Sequence, residues 1–166
     1  MERQEKMVQI SIITVGKLKE RYWKEAVAEY YKRLGRYCNI TITEVADEKA
    51  PEKLSAAQRL EVKDKEGERL LKHVRDNDIC IALVVEGESI SSEQFAQRLE
   101  NFALNGHSSI ACVIGGSLGL SAKVLHRADL KLSFSLFTFP HQLIRVILVE
   151  QIYRAYKIIN GETYHK

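Results

Sequence analysis

The feature that most constrains this chain is an alternation repeated five times: a short apolar or β-branched run, then a segment whose apolar residues fall three or four apart. Residues 8–15 (VQISIITV), 40–45 (ITITEV), 79–85 (ICIALVV), 110–114 (IACVI) and 132–136 (LSFSL) read as strands. After the first, Trp23, Val27, Tyr30 and Leu34 share a helical face, and Gly35 offers a stop. Ser55 and Gln58 have capping-box spacing, with Leu60, Gly67, Leu71 and Val74 expected on one face of a long charged helix. Ser91 to Gln94 offers a second cap, with Phe95, Leu99 and Phe102 as the buried face and Gly106 as the stop. Ser121 can cap a short helix to about Asp129, and a last helix is expected over 141–160. This order predicts a single α/β domain over 1–166, a mostly parallel sheet with helices on both faces. The run 79–85 is apolar on both faces and suits a central strand, while 47–51 (DEKAP) reads as a charged loop.

A chain of 166 residues, 45% hydrophobic, supports one compact core. It has no apolar run long enough for a membrane span, and residues 1–6 (MERQEK) are polar with no signal-peptide core behind them. Cys38, Cys80 and Cys112 are odd in number and form no C-x-x-C pair, so buried thiols without a disulfide or metal are expected. A cytoplasmic location follows as the expectation. The net charge of +3 is too mild to establish nucleic-acid binding and does not oppose it.

Four places carry candidate chemistry. Gly115-Gly116-Ser117-Leu118-Gly119 is a glycine-rich turn after a strand, where a ligand can approach the backbone. It has neither G-x-G-x-x-G spacing nor a following Gly-Lys-Ser/Thr, so a plain tight turn competes with a ligand site. Thr138-Phe139-Pro140-His141 is a corner where Pro140 starts the last helix and leaves backbone donors for a ligand. Ser133 and Ser135 alternate with Phe134 and Leu136, placing small polar groups on one face of the expected strand. The last helix is apolar around most of its circumference, from Leu143 to Ile152, which one small core cannot cover and which points to a subunit interface. On it His141 and Arg145 share a face, and Glu150, Arg154 and Lys157 form a second polar stripe that a surface salt-bridge ladder would also explain. Beyond Gly161, the tail Tyr164-His165-Lys166 is either a frayed end or a base-stacking, phosphate-contacting group.

Together these residues resemble the ribosomal RNA large-subunit methyltransferase H family. The resemblance rests on Ile114-Gly115-Gly116 with Gly119-Leu120, on Leu132 to Ser135 with Thr138 to Gln142, on Glu150-Gln151-x-Tyr153-Arg154-Ala155, and on Tyr164-His165-Lys166. Val15-Gly16-Lys17-Leu18-Lys19 and Lys65-Glu66-Gly67 match as well, and the likeness runs from Val8 to the end, leaving 1–7 as an extra tail. Leu118, Phe137 and Thr163 depart from the usual pattern. The resemblance implies a SPOUT-type fold with a C-terminal trefoil knot and a homodimer. It implies an S-adenosyl-L-methionine-dependent enzyme that methylates N3 of a pseudouridine in large-subunit ribosomal RNA on assembled ribosomes. It further implies a cofactor pocket of Leu83, Gly115, Gly116, Phe134, Ser135, Leu136, Phe137, Thr138 and Phe139, no metal, and catalytic roles for His141, Arg154, Tyr164 and His165.

The chemistry needs positioning, removal of a weakly acidic imide proton, and stabilisation of charge on the ring. His141 and His165 are both candidate bases. Arg154 can stabilise the ring charge or hold a phosphate, and Tyr164 can stack on the base. A helix of about 20 residues spans roughly 30 Å, so the tail is expected to reach a partner's pocket rather than its own. Two other functions compete: a non-enzymatic RNA-binding ribosome-assembly factor, which explains the tail but not the glycine turn and corner together, and a nicotinamide-dependent oxidoreductase, whose fingerprint is missing.

Overall fold

The structure is a computed structural model that describes residues 6–49 and 51–166. Residues 1–5 of the expected extra tail, and Ala50 of the expected charged loop, lie outside the described residues. The elements are β1 (Gln9–Val15), α1 (Arg21–Leu34), β2 (Asn39–Val45), α2 (Ala56–Leu71), β3 (Ile79–Ser89), α3 (Ser92–Leu104), β4 (Ser109–Ile114), α4 (Ala122–Arg127), β5 (Leu130–Ser133) and α5 (His141–Ile159). The strands form one all-parallel sheet in the order β2-β1-β4-β3-β5.

Each strand feeds a helix that returns across one face, so the sheet is covered on both sides. One core joins Ile10, Ile12, Ile81 and Ile110 to α3 and α5 through Phe95, Leu99, Leu148 and Ile152. The other joins Ile13, Cys80, Ala82 and Val113 to Leu70 of α2 and Val124 of α4. All three cysteines are buried and unpaired, and burial pushes the Cys38 thiol up to about 12 and Cys80 to about 11, which suits inert packing. Ser55–Gln58 and Ser91–Gln94 both form full capping boxes.

Three expectations are corrected. The buried face of α2 is Glu66, Gly67 and Leu70, whereas Leu60 is exposed, because the helix touches the sheet only along its second half. The last strand is Leu130–Ser133, not 132–136. Ser133 Oγ donates to the Ser135 carbonyl and Ser135 Oγ accepts from Phe137 N–H, local bonds that draw the chain out of the ladder. β3 continues to Ser89 rather than stopping near Val85, but it breaks register on the way. Leu132 faces both Leu83 and Glu88, so residues 84–87 loop out of the sheet.

Candidate active site

The C-terminal ends of β3, β4 and β5 open onto one cleft of about 780 Å³, at the edge where parallel α/β sheets bind ligands. Its walls are Leu83 and the looped-out Val84, Val85 and Glu86 on one side, Ile114 and the turn 115–120 on a second, and 134–135 with 137–141 on the third. The outward loop is held by close backbone contact: a Cβ on Gly87 would lie 2.7 Å from the Lys131 carbonyl. Gly115 is packed as tightly, with its Cβ position 2.9 Å from the Gly119 carbonyl and 3.0 Å from Leu120. The turn is therefore backbone against backbone, and any larger residue displaces the cleft wall. Behind it the Glu66 carboxylate is buried, accepts from Glu48 N–H at 3.0 Å and lies against Gly116. Desolvation raises its pKa, opposed by that hydrogen bond.

His141 opens α5 on the cleft wall and is half-buried. Its proton affinity is lowered, first by burial and then by the cation of Arg145, while Asp47 pulls the other way. The imidazole is therefore held toward its neutral, proton-accepting form. Arg145, one turn on, is 1% exposed. It pairs with Glu44 at 2.6 Å, donates to Thr14 Oγ1 and to the Gly16 carbonyl, and leaves Nε without a partner. Thus His141 and Arg145, which share a helical face as their spacing predicted, do different work: one lines the cleft and the other locks α5 to the ends of β1 and β2.

A second cluster lies at the other end of α5. Glu150 Oε1 accepts from Arg154 Nε at 3.0 Å, from Arg154 Nη2 at 2.6 Å and from Tyr164 Oη at 3.2 Å. The Arg154 guanidinium sits 4.8 Å from the Tyr164 ring centre, and Tyr164 meets Tyr153 edge-on at 4.9 Å. Burial pushes the Tyr164 phenol up to about 12. His165 Nδ1 is 3.1 Å from Arg154 Nη1, and its Nε2 is 2.7 Å from Glu93 Oε1. Arginine only donates, so Nδ1 must accept, and Nε2 carries the proton given to Glu93. The tail is docked, not frayed.

Of the residues expected to bind cofactor, Leu83, Gly115, Gly116, Phe134, Ser135, Phe137, Thr138 and Phe139 line the cleft together. Leu136 does not: it is 85% exposed on the turn that replaces the expected strand end. His141 joins the cleft, whereas Arg154, Tyr164 and His165 form the separate cluster. Sequence reading missed the loop 84–87, for which Gly87, just past the expected strand end, was the available signal. It also missed Glu93 as a partner of His165, since Glu93 lies in a helix cap. Among the described residues no group of three or more His, Cys, Asp or Glu is placed to hold a metal, and no helix is long and apolar enough to cross a membrane.

An all-parallel α/β sheet with a backbone-built cleft at its C-terminal edge defines a ligand-binding class of which nucleotide-cofactor enzymes are typical. The family described as predicted SPOUT methyltransferase matches residues 8–165. Proteins named ribosomal RNA large subunit methyltransferase H are close relatives. The one from Bifidobacterium adolescentis is 58% identical over 159 residues, covering 96% of this chain and 100% of that protein. One from Clostridium botulinum is 57% identical over 157 residues, covering 95% and 99%, respectively. A Legionella pneumophila protein assigned to the methyltransferases and solved with SAM bound has a TM-score of 0.50 at 12% identity, covering 90% of this chain and 66% of that one. That likeness concerns the fold alone. The chain belongs to the SPOUT methyltransferases and, within them, to the ribosomal RNA large subunit methyltransferase H family.

Proposed function

We propose that the protein is an S-adenosylmethionine-dependent methyltransferase acting on N3 of a pseudouridine in large-subunit ribosomal RNA, on assembled ribosomes and as a homodimer. The observation that carries this reading is the match, end to end and at 58% identity, to a relative named for methylating large-subunit ribosomal RNA. The cleft fits the cofactor. Leu83, Val84 and Leu120 offer apolar walls for a flat adenine, and at Gly115 there is no room for a side chain, leaving its backbone to face the ligand. Leu83, Gly115, Gly116, Phe134, Ser135, Phe137, Thr138 and Phe139 would hold it. When bound, S-adenosylmethionine supplies a methyl group on a positively charged sulfur.

The residues of the chain supply the rest. His141, held toward neutrality at the cleft wall, is the acceptor for the imide proton. Arg154 supplies positive charge for the developing ring anion, and Tyr164 a stacking face. These two stand about 20 Å along the helix from His141, at 1.5 Å per residue, so we assign them to the partner's cleft. Leu143, Val146, Ile147, Glu150 and Arg154 fall on one stripe of α5 that its own core leaves partly uncovered, and this stripe is the assigned dimer face. The C-terminal trefoil knot belongs to the same proposal, with 115–121 and 134–140 as the segments that would thread.

The test is incubation of the protein with S-adenosylmethionine and ribosomes lacking the modification, followed by mass spectrometry of the ribosomal RNA nucleosides. N3-methylpseudouridine in the large-subunit RNA is expected. Cofactor-independent RNA binding with no methylated nucleoside would overturn the reading in favour of an assembly factor.

A further inference from the structure

The motif Val15-Gly16-Lys17-Leu18-Lys19 is not used by the cleft or by the tail cluster, yet its backbone is tied down at Gly16 and Leu18. Gly16 N–H donates to the Val45 carbonyl at 2.8 Å, and the Gly16 carbonyl accepts from Arg145 at 3.2 Å. Leu18 N–H donates to Glu44 Oε2 at 3.0 Å, the same oxygen that pairs with Arg145. A buried arginine is stabilising only when its charge and donors are met. Here they are met largely by groups that fix this short loop. On that rigid frame Lys17 and Lys19 are exposed, and neither has a carboxylate within ion-pair distance among the described residues. Glu20 follows them as the one acid of the stretch 17–24, against four basic residues.

The placement is as informative as the charge. The loop leaves β1 at the same sheet edge as the cleft. Val15 lies against the glycine turn, its side chain 3.2 Å from the Cβ position of Gly116. Arg145, which grips Gly16, is one turn from His141 on the cleft wall. Residues 15–37 hold seven basic and three acidic residues, a net +4 in a chain whose total is +3. The rest of the chain is therefore close to neutral, and the positive field is concentrated on this loop and the helix behind it.

We infer that Lys17 and Lys19 form a preorganised phosphate-contact element, which grips the backbone of the RNA substrate beside the cleft while the cofactor and tail groups address the base. The inference rests on the proposed RNA substrate. A fixed loop loses little freedom on binding, so its two ammonium groups act as sequence-independent anchors that set register.

Each phosphate neutralised releases counterions, so the slope of log affinity against log salt reports the number of contacts, about 0.7 to 0.9 per contact. The experiment measures ribosome binding across a monovalent-salt series, and steady-state methylation, for four forms of the full chain. These are the wild type, Lys17→Gln/Lys19→Gln, Lys17→Arg/Lys19→Arg, and a control, Lys32→Gln/Lys72→Gln, that removes equal charge at exposed positions remote from the cleft edge. The glutamine pair is expected to flatten the slope by about 1.5. It should raise KM for ribosomes about tenfold or more, with kcat and cofactor affinity near wild type. The arginine pair should keep the wild-type slope, and the control should change it little. An unchanged slope in the glutamine pair, or an equal change in the control, overturns the inference and leaves the proposed activity standing. A wild type that neither binds nor methylates ribosomes overturns the proposed activity and this inference with it.

Discussion

The two ends of α5 solve different problems with different chemistry. At its start, the cleft is made of backbone and apolar surface: Gly115 against Gly119, the looped-out 84–87 segment, and a corner led by Pro140. At its far end, Arg154, Glu150, Tyr164 and His165 form a side-chain network of short charged and aromatic contacts. The first arrangement suits recognition of a large flat cofactor by shape. The second suits charge stabilisation and stacking, which need side chains. The stretch of rigid helix from His141 to Arg154 separates them, about 20 Å at 1.5 Å per residue. Under the proposed function neither end alone completes a methyl-transfer site, and two copies packed through α5 would bring one of each together.

The comparison breaks most sharply at the backbone-built end. Gly115→Val puts a side chain into space bounded at 2.9 Å by a carbonyl. Overpacking of this kind costs about 1–3 kcal/mol, so calorimetry should find S-adenosylmethionine binding weakened about ten- to hundredfold. Removal of Tyr164 to Lys166 should have the opposite signature: methylation of ribosomes abolished, cofactor affinity and dimerisation near normal. Together the two variants separate binding from chemistry.

The link between the ends is tested next. Ile147→Asp places an unpaired charge on the partly covered stripe, and light scattering should report monomer or a dimer weakened about a hundredfold. Ile152 is the wrong position for that test, because it is 1% exposed inside its own subunit's core. There Asp should cause unfolding, visible as loss of the thermal transition.

Smaller effects sharpen the picture. Glu150→Gln removes the carboxylate that orients both Arg154 and Tyr164. It should lower kcat about tenfold with little change in cofactor affinity and about 1 kcal/mol or less in stability, since the pair is partly solvated. The smallest concerns pH. His141 binds its proton less readily in the fold than the ordinary value of 6.5. Between the lowered folded value and 6.5 the unfolded chain holds more protons, so stability rises with pH across that window and is lost as pH falls through it. In His141→Asn, denaturant melts should show a flatter pH dependence in that range.

The architecture was legible because periodicity and capping carry it: the Ser55 and Ser91 boxes, the five strands and the parallel order all appear. The cleft was legible in part. Gly115 and the Thr138–His141 corner announce themselves as a close-approach turn and a helix start. The 84–87 loop was partly hidden, because Val84 and Val85 continue the apolar run of the strand, and the backbone contact at Gly87 shows where the chain leaves the ladder. β5 was placed two residues late because Ser133 and Ser135 mimic strand alternation while their hydroxyls bond locally. Leu136, which the resemblance assigned to the pocket, lies outside the cleft lining on the turn that follows. Arg145 shows the limit of spacing arguments: four residues from His141 it shares a helical face, yet its length carries the charge to Glu44 and Gly16.

The central claim is that each working site takes its cleft from one subunit and its tail from the other. Subunit complementation tests it directly: Gly115→Val protein is mixed with protein lacking Tyr164 to Lys166, heterodimers are isolated, and methylation of ribosomes is measured. Both parents should be inactive. The heterodimer holds one intact cleft facing one intact tail, so about half of the wild-type activity per dimer should return. Verified heterodimers that stay as inactive as their parents would contradict the shared site.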